Sequence, residues 1–301
     1  MPEIALGTKV FSRAKRLGKL LNSVSETPID TVYVADDGEP SRDKKALYEA
    51  NYEFNLEVLD LEYDAGLGYG RNRIVEASEE PYLLIVDSDH EVPSDVSQLA
   101  DQLEARPELG GVSGLLFERE KIRGVCHDLF HHKNVLVRDI REEKEVQRVA
   151  GDPLIEYDFV PNICLFRREC LEERMWDPEY VIGKEHLDFY WTHKKETEWT
   201  FGVNPSVLFD HYPGGDTAYV TNRENAEKLT HSKQYFLDKW DLRAIVLGQT
   251  DWTDGTRSHR SVPYLFKQAL KNGLISLPAD LQARLMELRD MVRQRRNLPP
   301  I

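Results

Sequence analysis

The run Tyr82–Glu91, YLLIVDSDHE, holds the densest group of side chains that could do chemistry. It begins with an aliphatic stretch typical of a parallel strand that is buried on both faces. Four ionisable residues then follow within five positions, and such charges must lie where the strand reaches water. Asp87 and Asp89 are one residue apart, so they could share a divalent metal that prefers oxygen ligands, such as Mg²⁺ or Mn²⁺. The alternative is a polar strand-to-helix turn capped by Ser94.

The composition describes a soluble globular chain. Its 301 residues are 41% hydrophobic and 31% charged, with a net charge of −14, which argues against a general nucleic-acid partner. Three cysteines without a CxxC pair do not form a disulfide framework, so a reducing compartment is expected. We find no signal peptide and no apolar run near 18 residues. These features predict a cytoplasmic protein.

Apolar stretches alternate with helical periodicities through the first two thirds of the chain. Strands are predicted at residues 3–10, 31–35, 59–63, 82–86, 111–117, 159–166 and 207–209. Apolar residues at helical spacing predict helices between the earlier strands, with Ser12 and Ser41 as N-caps of the first two. Units of this length predict an α/β fold with a doubly wound, mostly parallel sheet.

The alternation stops after Gly215. Apolar spacing predicts one helix over residues 226–240 and another over residues 281–292. We therefore divide the chain into an α/β domain at residues 1–215 and a C-terminal helical extension at residues 216–301. Arginines surround the last turns of the final helix, which would suit peripheral contact with an anionic membrane surface. Packing of this helix on the α/β domain is the favoured alternative.

Residues 118–158 interrupt the pattern with dense charge and are interpreted as a solvated or substrate-facing insertion. His127 and His131 are four residues apart, so a helix would place them on one face, as a metal pair requires. A convincing third ligand is missing nearby, and the metal interpretation of this pair is therefore not favoured.

Several polar clusters follow predicted strands. They are Asp36-Asp37, Asp87-Ser88-Asp89 and Asp210-His211, and a fourth lies in the loop-to-helix segment Glu185–Asp188. The ends of strands in an open parallel sheet converge on one crevice, so these clusters are expected to meet there. A metal bound by Asp89 and His211 would leave positions for water and phosphate oxygens.

A glycine-rich segment precedes the helix before the YLLIV strand. Gly66, Gly68 and Gly70 permit close backbone approach at a helix N-terminus, and Arg71 adds a positive charge. The segment has neither the dinucleotide-binding spacing of glycines nor the lysine of a P-loop. A nicotinamide dehydrogenase and a P-loop NTPase are therefore excluded.

Taken in order, these motifs resemble the GT-A fold, the Rossmann-like fold of nucleotide-sugar-dependent glycosyltransferases of the family-two type. The resemblance covers residues 3 to 215. The matching segments are IALGTKVFSRAKRLGKLLNSV, VYVADDG, GLGYGRNR, VDSD and GKEHLDF. VDSD is similar to the metal-binding DxD element, and GKEHLDF resembles the late acidic motif that carries the catalytic base.

The resemblance implies roles for particular residues. The implied nucleotide-binding set is Thr8, Asp36, Asp37, Gly66, Arg71 and Asp87. The implied metal ligands are Asp89, His211 and Asp87. The catalytic base would be Asp188, Glu185 or His186, and the choice stays open because His186 occupies the position where the family more often has Asp. Ganglioside-type N-acetylgalactosaminyltransferases look similar there and share the run Phe130-His131-His132, which points to amino-sugar transfer.

The implied activity is Mn²⁺- or Mg²⁺-dependent transfer of a hexosyl or N-acetylhexosaminyl group. The donor would be a nucleotide diphosphate sugar, expected to be a UDP-sugar, and the acceptor a hydroxyl of a glycan, a lipid-linked molecule or another compound. Inversion at the anomeric carbon is expected from a single in-line displacement. The alternatives are a phosphohydrolase or phosphotransferase with Asp87 as nucleophile, a nucleotidyltransferase, and a non-catalytic binding module.

Overall fold

The computed structural model describes residues 3–140, 143–248, 270, 273–274 and 276–296. The strands are β1 (Ile4–Val10), β2 (Ile29–Asp36), β3 (Asn55–Asp60), β4 (Tyr82–Asp87), β5 (His90–Glu91), β6 (Leu109–Glu118), β7 (Lys121–Arg123), β8 (Asp128–His132), β9 (Val135–Asp139), β10 (Gln147–Val149), β11 (Asp152–Glu156), β12 (Ile163–Arg167), β13 (Thr200–His211) and β14 (Ala244–Leu247). The helices are α1 (Ala14–Val24), α2 (Arg42–Tyr48), α3 (Leu67–Ala77), α4 (Ser97–Ala105), α5 (Arg168–Glu173), α6 (Glu185–Glu196), α7 (Thr217–Arg223), α8 (Ala226–Lys239) and α9 (Ala279–Arg295).

The main sheet runs in the order β10-β11-β13-β6-β12-β4-β1-β2-β3. Strands β1 to β4 pair in parallel, and β13 is parallel to β6, while β12 is antiparallel to both of its neighbours. The predicted α/β fold with a mostly parallel sheet and flanking helices is confirmed. The carboxyl ends of β1, β2 and β4 lie side by side, so the residues that follow them face one crevice.

Strand β4 shows why the sheet is stable. Leu83 and Ile85 pack into one hydrophobic layer, and Leu84 and Val86 pack into the layer on the other side. Successive side chains of a strand point to opposite faces, so an all-aliphatic strand fills both layers. Each fully buried side chain of this kind contributes about 1.5–3 kcal/mol. The sheet is therefore a rigid support for the polar residues at its edge.

The two predicted N-caps have different outcomes. The Ser41 hydroxyl accepts a hydrogen bond from the backbone N–H of Lys44 and caps α2 as predicted. Ser12 does not cap α1, because Arg13 holds the N-cap position without a side-chain cap bond. The Ser12 hydroxyl donates instead to Asp216, 3.0 Å away in a segment 204 residues later. That long-range bond could not be read from local sequence.

The segment 118–158, where the predicted alternation of strands and helices is interrupted, has regular structure of its own, and its interpretation as a solvated or substrate-facing insertion stays a prediction. It contains strands β7 to β11, and β8 and β9 form a second sheet with β14. In β8 the side chain of Leu129 is buried while His131 and His132 are exposed, so burial falls along the strand and gives no alternating pattern to read from sequence. His127 and His131 are not on a helix, and His127 is buried with its Nε2 accepting from Arg138. The basis for the metal pair is therefore absent.

In the described part of the chain beyond Gly215, the two predicted helices are present as α8 and α9, while helix α7 and strand β14 were not predicted. Strand β14 pairs in parallel with β9, because a short apolar segment can complete the edge of the second sheet. Helix α9 packs on that sheet through Ala283 and Met286. Its predicted apolar stripe instead faces solvent, with Leu281, Leu285, Leu288 and Val292 all exposed. The boundary at residue 215 stays a prediction.

Two further features concern the whole described chain. Within it, we find no helix that combines the length and the apolar composition needed to cross a bilayer. Cys126, Cys164 and Cys170 are buried free thiols.

We predict that Gly66→Ala lowers the free energy of unfolding by about 3 kcal/mol. Gly66 has a φ of +103°, and an added Cβ would lie 2.7 Å from the Cα atom of Val181. Left-handed strain costs about 1–2 kcal/mol and overpacking about 1–3 kcal/mol. Gly151→Ala is the matched control, since its φ is +96° but nothing lies within 4 Å of the added Cβ. Urea denaturation should show a loss of about 1 kcal/mol for the control; equal losses would contradict the packing argument.

Candidate active site

The site depends on how β4 continues into β5. After Asp87 the chain turns through Ser88 and Asp89, and β5 then pairs antiparallel with the end of β13, with His90 opposite His211. The backbone N–H of Tyr212 donates to the carbonyl of Asp89 at 2.8 Å. These backbone bonds bring the middle of the chain against the end of β13.

The side chains brought together form an Asp–His cluster of Asp89, His90 and His211. Their ligand atoms all lie within 4.8 Å of one another, and His211 Nε2 is 3.5 Å from Asp89 Oδ2. The rings of His90 and His211 stack with centroids 4.6 Å apart. Zinc-type distances of about 2.1 Å to nitrogen and oxygen would let one ion contact both atoms of a pair at this separation. The donor set therefore fits a divalent cation.

Glu118 orients His211. Its Oε2 lies 2.9 Å from His211 Nδ1, so a proton on Nδ1 donates to Glu118 and leaves the Nε2 lone pair facing Asp89. Burial lowers the pKa of His211, but the carboxylates of Asp89 and Glu118 outweigh it and raise this pKa above its usual value. Burial lowers the pKa of His90, whose Nδ1 lies 3.0 Å from the carbonyl oxygen of Asp87.

Arg13 already supplies a positive charge to this cluster. Its guanidinium contacts Asp89 Oδ2 and lies 3.2 Å from the Ser88 hydroxyl, and it stacks on the ring of Tyr219 at 3.9 Å. Burial raises the pKa of Asp89, but the opposing effects of His211 and Arg13 together are larger, so the pKa lies below its usual value. A cation between Asp89 and His211 would compete with Arg13 for Asp89 Oδ2.

Asp87, predicted as a third metal ligand, is not a member of the Asp–His cluster. Its carboxylate accepts from Arg71 at 3.2 Å and from Asn162 at 3.5 Å. The same guanidinium lies 3.5 Å from Glu185, so Arg71 bridges two carboxylates at the crevice. Burial raises the pKa of Asp87, but the charges of Arg71, His90 and Arg13 hold it well below its usual range. Arg71 is buried, which makes it a fixed part of the site.

The paired aspartates after β2 have separate environments. Asp37 is fully buried, forms an ion pair of 2.5 Å with Lys9 and accepts from the backbone N–H of Gly66 at 3.1 Å. Burial nevertheless raises the pKa of Asp37, with Lys9 opposing. Asp36 accepts from Lys44 at 2.7 Å and from Tyr48 at 2.7 Å. Asp36 thus supports the loop that carries Asp37.

Thr8 lies beside these aspartates on β1. It is buried, and within the described chain its hydroxyl has no hydrogen-bond partner.

A first cavity lies at the carboxyl end of β1, and its lining includes Lys9, Phe11, Asp64, Leu67, Asp87 and Tyr219. Its volume is only about 50 Å³, far below the 300–1,000 Å³ of typical ligand pockets. Helix α7 covers it. Asn222 donates to Asp64 at 2.9 Å, and Tyr219 stacks on Arg13. A nucleotide could enter only if α7 moved.

A second cavity of about 570 Å³ adjoins the first and contains the Asp–His cluster. The two share Asp87, Asn162, Glu185, Tyr219 and Arg223 in their linings. The junction of the two cavities is therefore polar and carries charges of both signs.

The three residues predicted as candidates for the catalytic base lie in different surroundings. Glu185 lines both cavities, and His186 lines the second. Neither ring nitrogen of His186 has a hydrogen-bond partner in the described chain, and burial lowers the pKa of His186 well below its usual value. Asp188 lines neither cavity.

The carboxylate of Asp188 is fully engaged with α8 and its neighbours. It accepts from Tyr180 at 3.2 Å, from Trp240 at 2.7 Å and from Lys239 at 2.8 Å. These contacts anchor the carboxylate inside the protein.

Four residues of the site were not found by sequence reasoning. They are Arg13, His90, Glu118 and Arg223. His90 stands in the DSDHE run, so its closeness in sequence to Asp89 could have identified it as a site residue. The others reach the site through long-range packing that no local pattern reveals.

The chain is similar to known proteins in both sequence and fold. Residues 7–175 match the family model described as glycosyl transferase family 2. GalNAc-T7, solved with UDP, GalNAc and Mn²⁺, is 12% identical with a TM-score of 0.56, and the match covers 72% of this chain but 45% of that one. Staphylococcus aureus TarS 1–349, solved with UDP-GlcNAc, is 13% identical with a TM-score of 0.56, covering 97% and 81%. No curated protein sequence gives a significant match.

The fold and site define a GT-A glycosyltransferase. The family model covers more than half of the chain, and the chain belongs to glycosyl transferase family 2. This membership argues against the phosphohydrolase and nucleotidyltransferase alternatives.

We predict that Glu118→Gln weakens Mn²⁺ binding about 10- to 100-fold, because a carboxylate hydrogen-bonded to a metal-binding imidazole fixes the tautomer and raises the basicity of that imidazole. Calorimetric titration of Mn²⁺ measures the change. Glu120→Gln is the control, since Glu120 is an exposed carboxylate two residues away. Equal affinity of both variants and the parent protein would show that His211 needs no support from Glu118.

Proposed function

We propose that this glycosyltransferase moves a sugar from a UDP-sugar to an acceptor hydroxyl with inversion, assisted by Mn²⁺ or Mg²⁺. The observation that carries the proposal is the Asp–His cluster, which lies beside the junction of two cavities. UDP in the structures of GalNAc-T7 and UDP-GlcNAc in that of TarS support the choice of donor. N-Acetylhexosaminyl transfer is favoured over hexosyl transfer on the same grounds.

The nucleoside is proposed to bind in the first cavity. Thr8 and Asp37, which the family resemblance assigns to the base, are buried and do not line this cavity. Lys9 does line it and is ion-paired with Asp37, which Gly66 holds through its backbone N–H. The base would therefore reach Asp37 only after the site rearranges. Asp36 would act indirectly by holding the loop. Asp87 would reach the ribose at the junction with the second cavity.

The cation is proposed to bind Asp89 and His211, with His90 and Asp87 close by. When bound, it would supply positive charge next to the departing diphosphate, where negative charge grows in the transition state. Arg71 would hold Asp87 in place rather than bind phosphate, because its guanidinium is already shared between Asp87 and Glu185.

Glu185 is proposed as the general base. It lies at the junction, where an acceptor hydroxyl in the second cavity would approach the sugar from the side opposite the nucleotide. The hydroxyl oxygen forms the new bond to the anomeric carbon, the bond to the diphosphate breaks, and the hydroxyl proton passes to Glu185. One displacement of this kind inverts the anomeric configuration.

His186 is proposed to orient the acceptor hydroxyl, because it lines the second cavity with both ring nitrogens unpaired. A pH profile would not separate it from a carboxylate base, since its lowered pKa keeps the ring neutral through mildly acidic pH. Substitution is the sharper test.

A cytoplasmic location, with peripheral membrane contact through α9, stays a proposal from sequence.

We predict that UDP-GlcNAc or UDP-GalNAc is hydrolysed slowly in the absence of acceptor, and that EDTA abolishes the release of UDP. Addition of Mn²⁺ or Mg²⁺ should restore it, because Asp89 and His211 cannot neutralise a diphosphate themselves. UDP release is followed by a coupled assay, and NMR of the transfer product reports the anomer. A retained anomer would overturn inversion, and full activity in EDTA would overturn the role of the cation.

We predict that Glu185→Gln lowers kcat about 10²- to 10⁴-fold while donor binding persists, as expected for loss of a general base. Asp188→Asn is the control. It should lower stability by about 3–5 kcal/mol, because it disrupts a buried ion pair with Lys239, yet leave kcat per folded molecule within a few-fold. Steady-state kinetics and thermal unfolding separate the two effects. If His186→Gln rather than Glu185→Gln removed activity, His186 would be the base.

A further inference from the structure

Four cationic side chains line the second cavity; Arg123 is ion-paired with Glu118, and the other three come from separate parts of the fold. Arg138 comes from β9, Lys184 precedes α6, and Arg223 ends α7. Within the described chain, none of the three forms an ion pair with a carboxylate, unlike Lys9, Arg13 and Arg71. Among the described residues, these three cations therefore have no direct carboxylate partner, and the carboxylates that act on Lys184 and Arg223, such as Glu185, do so from a longer distance.

Arg138 is held in place by neutral groups. Its Nε donates to His127 Nε2 at 2.9 Å, and its guanidinium lies over the ring of Phe159 at 4.9 Å. These contacts fix the plane of the guanidinium and leave its terminal nitrogens without a partner in the described chain. Burial lowers the pKa of Arg138 to about 10. A planar, fixed guanidinium is suited to bidentate binding of an oxyanion.

Lys184 adds a second charge near Arg138. It occupies a left-handed position, φ 72°, that turns the chain into α6. Burial lowers the pKa of Lys184 to about 8, and the neighbouring charges of Arg138 and Lys233 act in the same direction. Two like charges in a poorly solvated cavity cost stability unless a ligand brings the opposite charge.

Arg138 and Lys184 line only the second cavity, as does the Asp–His cluster, whereas Arg223 lines both cavities. The cation proposed at Asp89 and His211 already supplies positive charge to the donor diphosphate. Arg138 and Lys184 are therefore available to a second anionic group. The cavity also has apolar walls formed by Leu116, Val125, Phe159 and Pro161, which suit the carbon skeleton of an acceptor.

We propose that the acceptor carries a phosphate ester group, which binds against Arg138 and Lys184 while its hydroxyl faces Glu185; this inference rests on the proposed glycosyl transfer. Phosphate matches the pair in charge, since a phosphate ester carries about −1.5 to −2 at neutral pH and a carboxylate only −1. The cavity volume of about 570 Å³ lies within the usual range for ligand pockets. Arg138 and Lys184 are specificity-determining residues in this proposal.

The first test does not require the true acceptor. With the protein saturated by UDP and Mg²⁺, inorganic phosphate is added and thermal unfolding is measured. The parent protein and Lys195→Gln, which removes an exposed lysine outside the cavity, should show the same phosphate-dependent rise in Tm. Lys184→Gln and Arg138→Gln should lose this rise, and Arg138→Lys should keep part of it. A rise that is absent from the parent protein, or equal in all variants, would overturn the proposal.

The second test compares acceptor pairs that differ only in the phosphate. Glycerol 3-phosphate with glycerol, and glucose 6-phosphate with glucose, are offered with the UDP-sugar, and methyl glucuronide represents a carboxylate. We expect the phosphate esters to have at least a tenfold higher kcat/KM, and Lys184→Gln to raise their KM about tenfold without changing kcat. Preference for the neutral or carboxylate acceptor would overturn the inference.

Donor hydrolysis in the absence of acceptor distinguishes the two levels of failure. If the parent protein neither binds UDP nor hydrolyses a UDP-sugar, the proposed function fails. If the parent protein hydrolyses the UDP-sugar but phosphate has no effect on binding or on transfer, only the inference about the acceptor fails.

Discussion

The pairing of the two-residue strand β5 with the end of β13 is the constraint on which the site depends. It places His90 opposite His211 and fixes the backbone of Asp89 through the N–H of Tyr212. A slip of one residue would turn His211 to the other face of the strand and present Asp210 in its place. The buried sheet prevents such a slip, because β13 is also paired with β6 along most of its length. The stability of the sheet therefore keeps β5 and β13 in register, although 121 residues lie between Asp89 and His211.

The second organising feature is the balance of charge around the crevice. Asp37, Asp87 and Asp89 are each matched by one cation, Lys9, Arg71 and Arg13 respectively. Removal of one member of a buried pair leaves an uncompensated charge and costs about 3–5 kcal/mol. The pairs with Arg71 and Arg13 therefore favour the charged forms of Asp87 and Asp89 before any ligand arrives, whereas burial raises the pKa of Asp37 despite its pair with Lys9. Arg138 and Lys184 in the second cavity have no such carboxylate partner in the described chain, and for this reason they point to an anionic ligand.

Much of the fold could be predicted from sequence, because long aliphatic strands such as β4 are unambiguous and their order defines the sheet. The proximity of Asp89 and His211 could be predicted too, since both follow strand ends. Glu118 could not, because its contact with His211 depends on the pairing of β13 with β6. The strands of residues 118–158 were missed because each is five residues or fewer and is rich in charge. The exposed stripe of α9 shows that apolar spacing identifies a helix but not the face that packs.

Helix α7 connects the state of the first cavity to that of the Asp–His cluster. Three contacts hold it across the cavity: Ser12 with Asp216, Arg13 with Tyr219, and Asn222 with Asp64. Arg13 takes part in one of these contacts and also neutralises Asp89. Movement of α7 would remove the ring on which Arg13 stacks, and so weaken the hold of Arg13 on Asp89. A movement of α7 that opened the first cavity would therefore also loosen the contact of Arg13 with Asp89, the carboxylate proposed to bind the cation.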